Sequence, residues 1–272
     1  MAASQFQRHC IFCGGEGLSK EHFYSDWMRD LVREDNPSTY EVGLTESHPK
    51  TGTSLDTLSK RPGSLTSKKF RVVCRACNHG WMNRLEADAR PLLTSLIRDE
   101  QFELDQAKQQ ILARWISTKV ITAENANPAK AVTPPNDRRA LMAQGTIPAY
   151  FRIYLCRHGL KSKTGFVRLS NSIGKIESVP VPPLDGFPKN VQQVTFVLGS
   201  ALVHVNAARI DNWSIENALS IPIVHEKMRL WPSAVETLVW PRGPRLSGDD
   251  VRMLAWSLRK LTNHPHAMWI DY

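Results

Sequence analysis

Two C-x-x-C pairs, Cys10/Cys13 and Cys74/Cys77, constrain this chain more than any other feature. Each pair sets two thiols on one tight turn, where both can reach a single ion. In the first, CIFCGGEG, glycines permit the sharp reversal that such a knuckle needs. The N-terminal stretch MAASQFQRHC has no apolar signal core, and paired C-x-x-C motifs in such a chain point to a metal rather than to disulfides. Four soft sulfur ligands in a tetrahedron are what structural Zn²⁺ takes. A simple zinc ribbon would separate its pairs by about 15–20 residues. The segment from Cys13 to Cys74 is far longer, and it contains Lys20-Glu21-His22. The remaining cysteine, Cys156, stands in an apolar stretch and is expected as a buried thiol.

The texture changes along the chain. LSKEHFYSDWMRDLV begins as a short strand and ends with helical spacing at Trp27, Met28, Leu31 and Val32. Residues 33–67 are polar, with Pro37, Pro49, Gly52, Pro62 and Gly63, and read as an irregular, mobile insertion. KFRVVC, 69–74, reads as a strand, and NHGWMNRLEADARPLLTSLI as a helix that bends or breaks near Pro91. Trp81 and Met82 on it are expected to pack rather than to stack on bases. A helix at about 105–123 carries one apolar stripe of Ile111, Leu112, Trp115, Ile116 and Val120. Prolines then punctuate 125–148, which reads as a linker with one short helix near 136–144.

From 149 onward FRIYLCRH, GFVRLS, VTFVL, ALVHV and ETLVW read as strands, with Gly199-Ser200 as a hairpin turn. Ser247, with Asp250 three residues on, caps a closing helix from about 248 to 262. The expected organisation is a metal-stapled module over 1–100, a helical connector over 101–127, a linker over 128–148 and a β-rich domain over 149–272. The fold class is α+β.

A formal charge of +9 favours polyanionic partners. Its placement says more. From Lys60 to Arg84 there is no Asp or Glu, but there are Lys60, Arg61, Lys68, Lys69, Arg71, Arg75 and Arg84. This run leads into the second cysteine pair and reads as a phosphate-facing stripe, or, more blandly, as a solvated loop. Arg152, Arg157, Lys161, Lys163 and Arg168 add charge around a hairpin, either to guide nucleic acid or as a solvated face. His158, His204 and His225 are expected as structural histidines, and His264 and His266 receive no role. No apolar run approaches a membrane span, so no membrane partner is expected and the protein is placed in the cytoplasm.

CIFC, then KEH, then CRACNHGWMNRLE resembles the HNH (ββα-metal, treble-clef) endonucleases over about residues 8–90. In that family a first knuckle leads to an acidic-His pair on a β-hairpin, and a second knuckle opens a helix. The resemblance implies an N-terminal ββα-metal module stapled by Zn²⁺ on Cys10, Cys13, Cys74 and Cys77. It implies His22 as general base, and Glu21 with Asn78 as ligands of a catalytic Mg²⁺ or Mn²⁺, His79 being the alternative to Asn78. Lys20, Lys68, Lys69, Arg71, Arg75 and Arg84 are the expected nucleic-acid contacts, with DNA as the expected substrate. Tyr24 stands where the family usually has proline, and Trp81 where it often has a basic residue. Successive side chains on a strand point to opposite faces, so Glu21 and His22 can share a site only if the strand is bulged. Proteins of this architecture resemble bacterial or phage-borne nucleases, including defence effectors, in which a variable second domain supplies targeting or sensing; the resemblance thus implies a C-terminal domain that binds DNA, a protein partner or an activating ligand. The competing readings are a non-catalytic zinc module that binds nucleic acid and a subunit whose zinc fold mediates assembly.

Overall fold

A computed structural model describes residues 9–32, 39–47, 54–174, 189–210, 215, 228–258 and 268–270; for 39–47, 54–61, 171–174 and 268–270 it describes the course of the backbone. The fold is mixed α and β. Strand β1, Leu18–His22, leads into a 3-10 turn at Asp26–Met28. An antiparallel pair follows, β2 (Thr39–Ser47) and β3 (Ser54–Pro62), then a 3-10 turn at Leu65–Ser67 and strand β4, Lys69–Cys74. Helix α1 is the single turn Arg75–Cys77, continued by a wide π-turn at Asn78–Met82 and by α2, Asn83–Arg98. After β5 (Phe102–Leu104) come α3 (Gln106–Glu124), a 3-10 turn at Pro128–Lys130 and α4 (Pro135–Gln144). The rest is β6 (Phe151–His158), β7 (Thr164–Gly174), β8 (Val191–Leu198), β9 (Ala201–Ala208), β10 (Arg229–Trp231), β11 (Leu238–Trp240), β12 (Arg245–Leu246), helix α5 (Gly248–Ala255) and β13 (Met268–Ile270).

Two expectations need correcting. The stretch 33–67 is not irregular throughout: β2 and β3 pair continuously from Thr39↔Pro62 to Ser47↔Ser54. Tyr40, Val42 and Leu44 recur at alternate positions, a strand period that the surrounding Ser, Thr, Pro and Gly masked. Helix α2 also runs straight through Pro91. Pro91 is exposed, while Leu85, Ala89, Leu93, Leu96 and Ile97 bury the opposite face and hold the helix in register. The irregularity falls earlier, at Gly80 (φ −92°, ψ −108°), where the π-turn joins the second knuckle to α2.

Most of the β structure forms one seven-stranded sheet in the order β10-β6-β9-β8-β7-β13, with β12 parallel to β6. Every residue of β8 and β9 is buried, so both faces of the sheet are covered. The polar residues this buries satisfy one another: Thr195 Oγ1 lies 2.8 Å from His204 Nδ1, and Gln193 Nε2 donates to Asn206 Oδ1 and Ser257 Oγ. A small cluster of Cys156, Val197, Leu202, Leu246, Val251 and Leu254 packs α5 on one side, under the capping box of Ser247 and Asp250. The main core runs from Ile11, Phe12 and Val73 through α2 and α3 to Val194, Val203 and Val205.

Helix α3 is the centre of that core. It packs against α2, β4, β5, β10 and α4. Its one apolar stripe understates its burial, because every residue from Trp115 to Glu124 is buried. An ionisable side chain on a helix enclosed on all sides must find partners. Glu124 does so by accepting from Gln192 Nε2 at 2.7 Å and from the Val132 and Thr133 amides.

Phe23 and Tyr24, just past β1, tie the cysteine-bearing segment to the sheet. The Phe23 ring lies edge-on to Phe166, Phe196 and Phe70, and the Tyr24 hydroxyl bonds the Gly165 carbonyl at 2.7 Å and the Val197 carbonyl at 3.1 Å. The hairpin turn at Gly199 meets the end of α2, where Ser200 N–H donates to the Ile97 carbonyl at 3.1 Å. Gly199 has φ +59°, and a Cβ there would sit 2.5 Å from that carbonyl oxygen, so both conformation and space demand glycine. Among the described residues, no helix is long and apolar enough to cross a membrane.

Candidate functional site

The two knuckles converge. The Sγ atoms of Cys10, Cys13, Cys74 and Cys77 all lie within 4.8 Å of one another, and Cys13 and Cys74 are 3.5 Å apart. Four thiolates about 2.3 Å from a zinc ion would stand roughly 3.8 Å from each other, so this donor set fits structural zinc. The local backbone explains the convergence. Cys10 N–H donates to the Gly15 carbonyl, Gly14 turns back with φ +73°, and Gly15 N–H points at Cys13 Sγ. At the second knuckle Cys77 N–H points at Cys74 Sγ. Ile11 N–H to the Val72 carbonyl and Arg75 N–H to the Gly17 carbonyl hold the knuckles against each other. Trp81 and Met82 pack as expected: the Trp81 ring lies edge-on to Phe12 at 5.0 Å, and Met82 is buried.

Beside the cysteines, β1 and β4 pair antiparallel with a register shift between Ser19 and Glu21 that places the extra residue on β4, while Glu21 and His22 pair in regular register with Phe70 and Lys69, so the bulge expected of the Glu-His pair does not fall between them. Glu21 and His22, the last two residues of β1, nonetheless both line one cleft of about 560 Å³, together with Asn78 and with Ser25, Asp26 and Trp27 from the turn after β1. Met82, Asn83 and Glu86 line it from the second knuckle and α2, and Trp115, Thr118 and Lys119 from α3. The Asn78 amide nitrogen donates to Ser19 Oγ at 3.0 Å and leans on the Lys20 carbonyl at 3.5 Å. A carbonyl only accepts, so the NH₂ group faces the strand, and Oδ1 is the atom with which Asn78 could meet a cation.

The cleft floor is an ion-paired network. Lys119 Nζ donates to Glu21 Oε1 at 2.6 Å and to the His22 carbonyl at 2.9 Å, and lies 3.5 Å from Glu86 Oε2. Glu86 accepts the indole N–H of Trp27 on one oxygen and of Trp115 on the other, both at 2.7 Å. Burial alone would push Lys119 down, but the Glu21 and Glu86 carboxylates outweigh it and hold the ammonium above the usual lysine range. Burial likewise opposes ionisation of Glu86, but Lys119 and the hydrogen-bond donors Ser25, Trp115 and Trp27 together outweigh it and keep the carboxyl below its usual range. His22 is lowered from its ordinary 6.5, first by burial and then by the charge of Lys69, its cross-strand neighbour. Its Nε2 has no hydrogen-bond partner and stands 3.8 Å from Asp26 Oδ1.

Of the residues singled out from sequence, Glu21, His22 and Asn78 therefore share the cleft. His79 is exposed and is not part of its lining. Lys20, Lys68, Lys69, Arg71, Arg75 and Arg84 are all exposed on β1, on β4 and its flank, and on the helix starts, outside the cleft lining. The second basic group separates differently. Arg157 makes a two-pronged bond to Asp99, which Arg245 shares, and the half-buried Arg168 is engaged by Gln192 and the Lys130 carbonyl, so neither is free to guide a polyanion. His158 and His204 are buried and partnered, as expected of structural histidines; His225, His264 and His266 lie outside the described residues.

The sequence reading missed Lys119, Glu86, Trp27 and Trp115 as parts of the site. One signal was present: Lys119 stands between Ile116 and Val120 on the α3 stripe, and a lysine on a buried face needs an acidic partner. No protein-family model, curated protein or solved structure matches the chain.

Proposed function

We propose that the protein is a metal-dependent endonuclease of the HNH (ββα-metal, treble-clef) kind, hydrolysing phosphodiester bonds in nucleic acid, with DNA as its foremost substrate. The observation that carries this reading is that Glu21, His22 and Asn78 line one cleft, with Asn78 directly after Cys77 of the four-cysteine site. The donor chemistry fits a hard divalent ion: Glu21 brings a carboxylate and Asn78 a carbonyl oxygen, and Mg²⁺ or Mn²⁺ takes few protein oxygens and keeps several waters. When bound, such an ion supplies Lewis-acid stabilisation of the phosphate and of the leaving 3′ oxygen.

The chain's own residues do the rest. His22 Nε2, unpartnered and held toward the neutral form, accepts a proton from the attacking water. Asp26, 3.8 Å away, steadies the imidazolium that results. Burial and then Lys69 favour the neutral imidazole, and Lys69, with Lys20, Lys68, Arg71, Arg75 and Arg84, offers positive charge to the phosphate backbone. Asn78 stays oriented through Ser19. The four-cysteine site holds β1, β4 and the helix start together, and so fixes the cleft.

Cleavage of supercoiled plasmid and of single-stranded DNA tests the proposal, comparing wild type with His22→Ala in Mg²⁺, Mn²⁺ and EDTA. Metal-dependent nicking that disappears in His22→Ala, with zinc content unchanged, is expected. Equal cleavage by both proteins would remove His22 from the mechanism. A second reading, a non-catalytic zinc module that binds nucleic acid, draws on the Lys119 ammonium already seated on Glu21. It predicts salt-sensitive DNA binding without cleavage under any of these conditions.

A further inference from the structure

The Glu21–Lys119–Glu86 network has a consequence for how the cleft handles a cation. Lys119 arrives from the central helix, 97 residues from His22 in sequence, yet it touches both the Glu21 carboxylate and the His22 carbonyl. Its ammonium is held over the Trp115 ring at 5.4 Å, and the helix around it is buried on all sides. Its position is thus fixed by core packing, not by the cleft. Glu86, which shares it, is fixed in turn by two indole N–H donors from Trp27 and Trp115. Two carboxylates against one ammonium leave a net negative charge at the cleft floor, and Lys119 spends part of that charge before any ion enters.

We infer that Lys119 is a positioning residue of the cleft: seated on Glu21 Oε1 and the His22 carbonyl, it leaves Glu21 with Oε2 for a divalent cation and sets how tightly that cation is held. This rests on the reading of the cleft as a divalent-metal nuclease site. Glu21 then binds an ion through one oxygen, and the ion's affinity reflects repulsion from a fixed neighbouring ammonium. Loose binding keeps the ion's remaining positions for water and phosphate. The backbone contact to His22 makes the same lysine a brace for the end of β1.

The test uses the full chain loaded with zinc and titrated with Mn²⁺ alone, followed by water-proton relaxation, alongside plasmid cleavage. Mn²⁺ prefers oxygen donors and leaves the thiolates to zinc. Lys119→Met removes a charge beside the ion and frees Oε1, so Mn²⁺ binds about tenfold tighter, while cleavage falls because the strand loses its brace. Glu86→Gln leaves Lys119 less neutralised, so Mn²⁺ binds about threefold weaker. Opposite signs in the two variants are the expected result, and a merely structural role does not produce them. Affinities that stay within about twofold of wild type, or move in the same direction, overturn the inference while leaving the nuclease reading standing. A wild type that neither cuts DNA nor binds Mn²⁺ overturns the nuclease reading and this inference with it. Should Lys119→Met fail to fold for want of its buried charge, the sign of the Glu86→Gln effect decides.

Discussion

Replacing Tyr24 by phenylalanine isolates the contact that seats the cysteine-bearing segment on the sheet. The ring stays and keeps its edge-on contact with Phe23 at 5.0 Å; only the hydroxyl is lost. That oxygen bonds the Gly165 carbonyl at 2.7 Å and the Val197 carbonyl at 3.1 Å, and accepts the Gly165 N–H at 3.1 Å. Tyr24 is 1% exposed, so water does not replace the missing partner. A buried donor left unsatisfied costs about 1–3 kcal/mol, and the carbonyls add less because each has a second lone pair. The expected loss is about 2 kcal/mol, or a fall in Tm of roughly 4–8 °C for a chain of this size. Urea unfolding of the full chain, followed by circular dichroism, measures it. Tyr24→Ala additionally removes a buried ring and should cost about 3–5 kcal/mol. A Tyr24→Phe loss below about 0.5 kcal/mol would refute the argument, since it would mean that these backbone groups find other partners at no cost.

Other outcomes follow from the same geometry. Because burial and then Lys69 lower His22 from its ordinary 6.5, cleavage should switch on below that pH as the imidazole loses its proton. Lys69→Met moves this acid limb to higher pH and Asp26→Asn moves it lower, read from pH–rate profiles. His204, fully buried, is lowered to about 3, so the folded state resists a proton that the unfolded chain accepts below 6.5. Its stabilisation is complete above that pH and is lost as pH falls toward 3, by about 2 kcal/mol between pH 6.5 and 5; His204→Gln should flatten the urea-derived stability curve across that window. Gly199→Ala forces a Cβ to 2.5 Å from the Ile97 carbonyl at φ +59°, and should lower stability by more than about 2 kcal/mol in the same assay. Stripping zinc with a strong chelator, or substituting Cys74→Ser, should unfold the knuckle segment and abolish cleavage together, and near-ultraviolet circular dichroism would register the change.

The legible part of this protein was the part written in short-range code. C-x-x-C spacing, the period-2 run KFRVVC, the glycine-first turn at Gly199 and the Ser247–Asp250 cap each depend on neighbours within a few residues, and each is present in the structure. The misses have a common physical origin. Pro91 argues for a break only if the helix depends on its own backbone, whereas α2 is held by the apolar face it packs into the core. The β2–β3 pair was hidden because turn-forming residues crowd the same window as the strand period. Arg168 looks like a surface charge in sequence, and only the fold shows Gln192 and the Lys130 carbonyl closing over it.

Lys119 shows why the floor of the cleft lay beyond reach. Its two carboxylate partners sit on β1 and α2, and nothing near it in sequence names them. A hydrophobic stripe identifies which face of α3 is buried, but not which element covers it. The buried charge itself was nonetheless informative: a lysine amid Trp115, Ile116 and Val120 folds stably only if acidic groups meet it. The candidates were the chain's acidic residues, and those already suspected of chemistry were the natural ones to ask. A charge set into an otherwise apolar helix face is therefore a pointer toward a site, because the structure that neutralises it must bring distant acidic groups together, and such groups are also what a cation-binding cleft is made of.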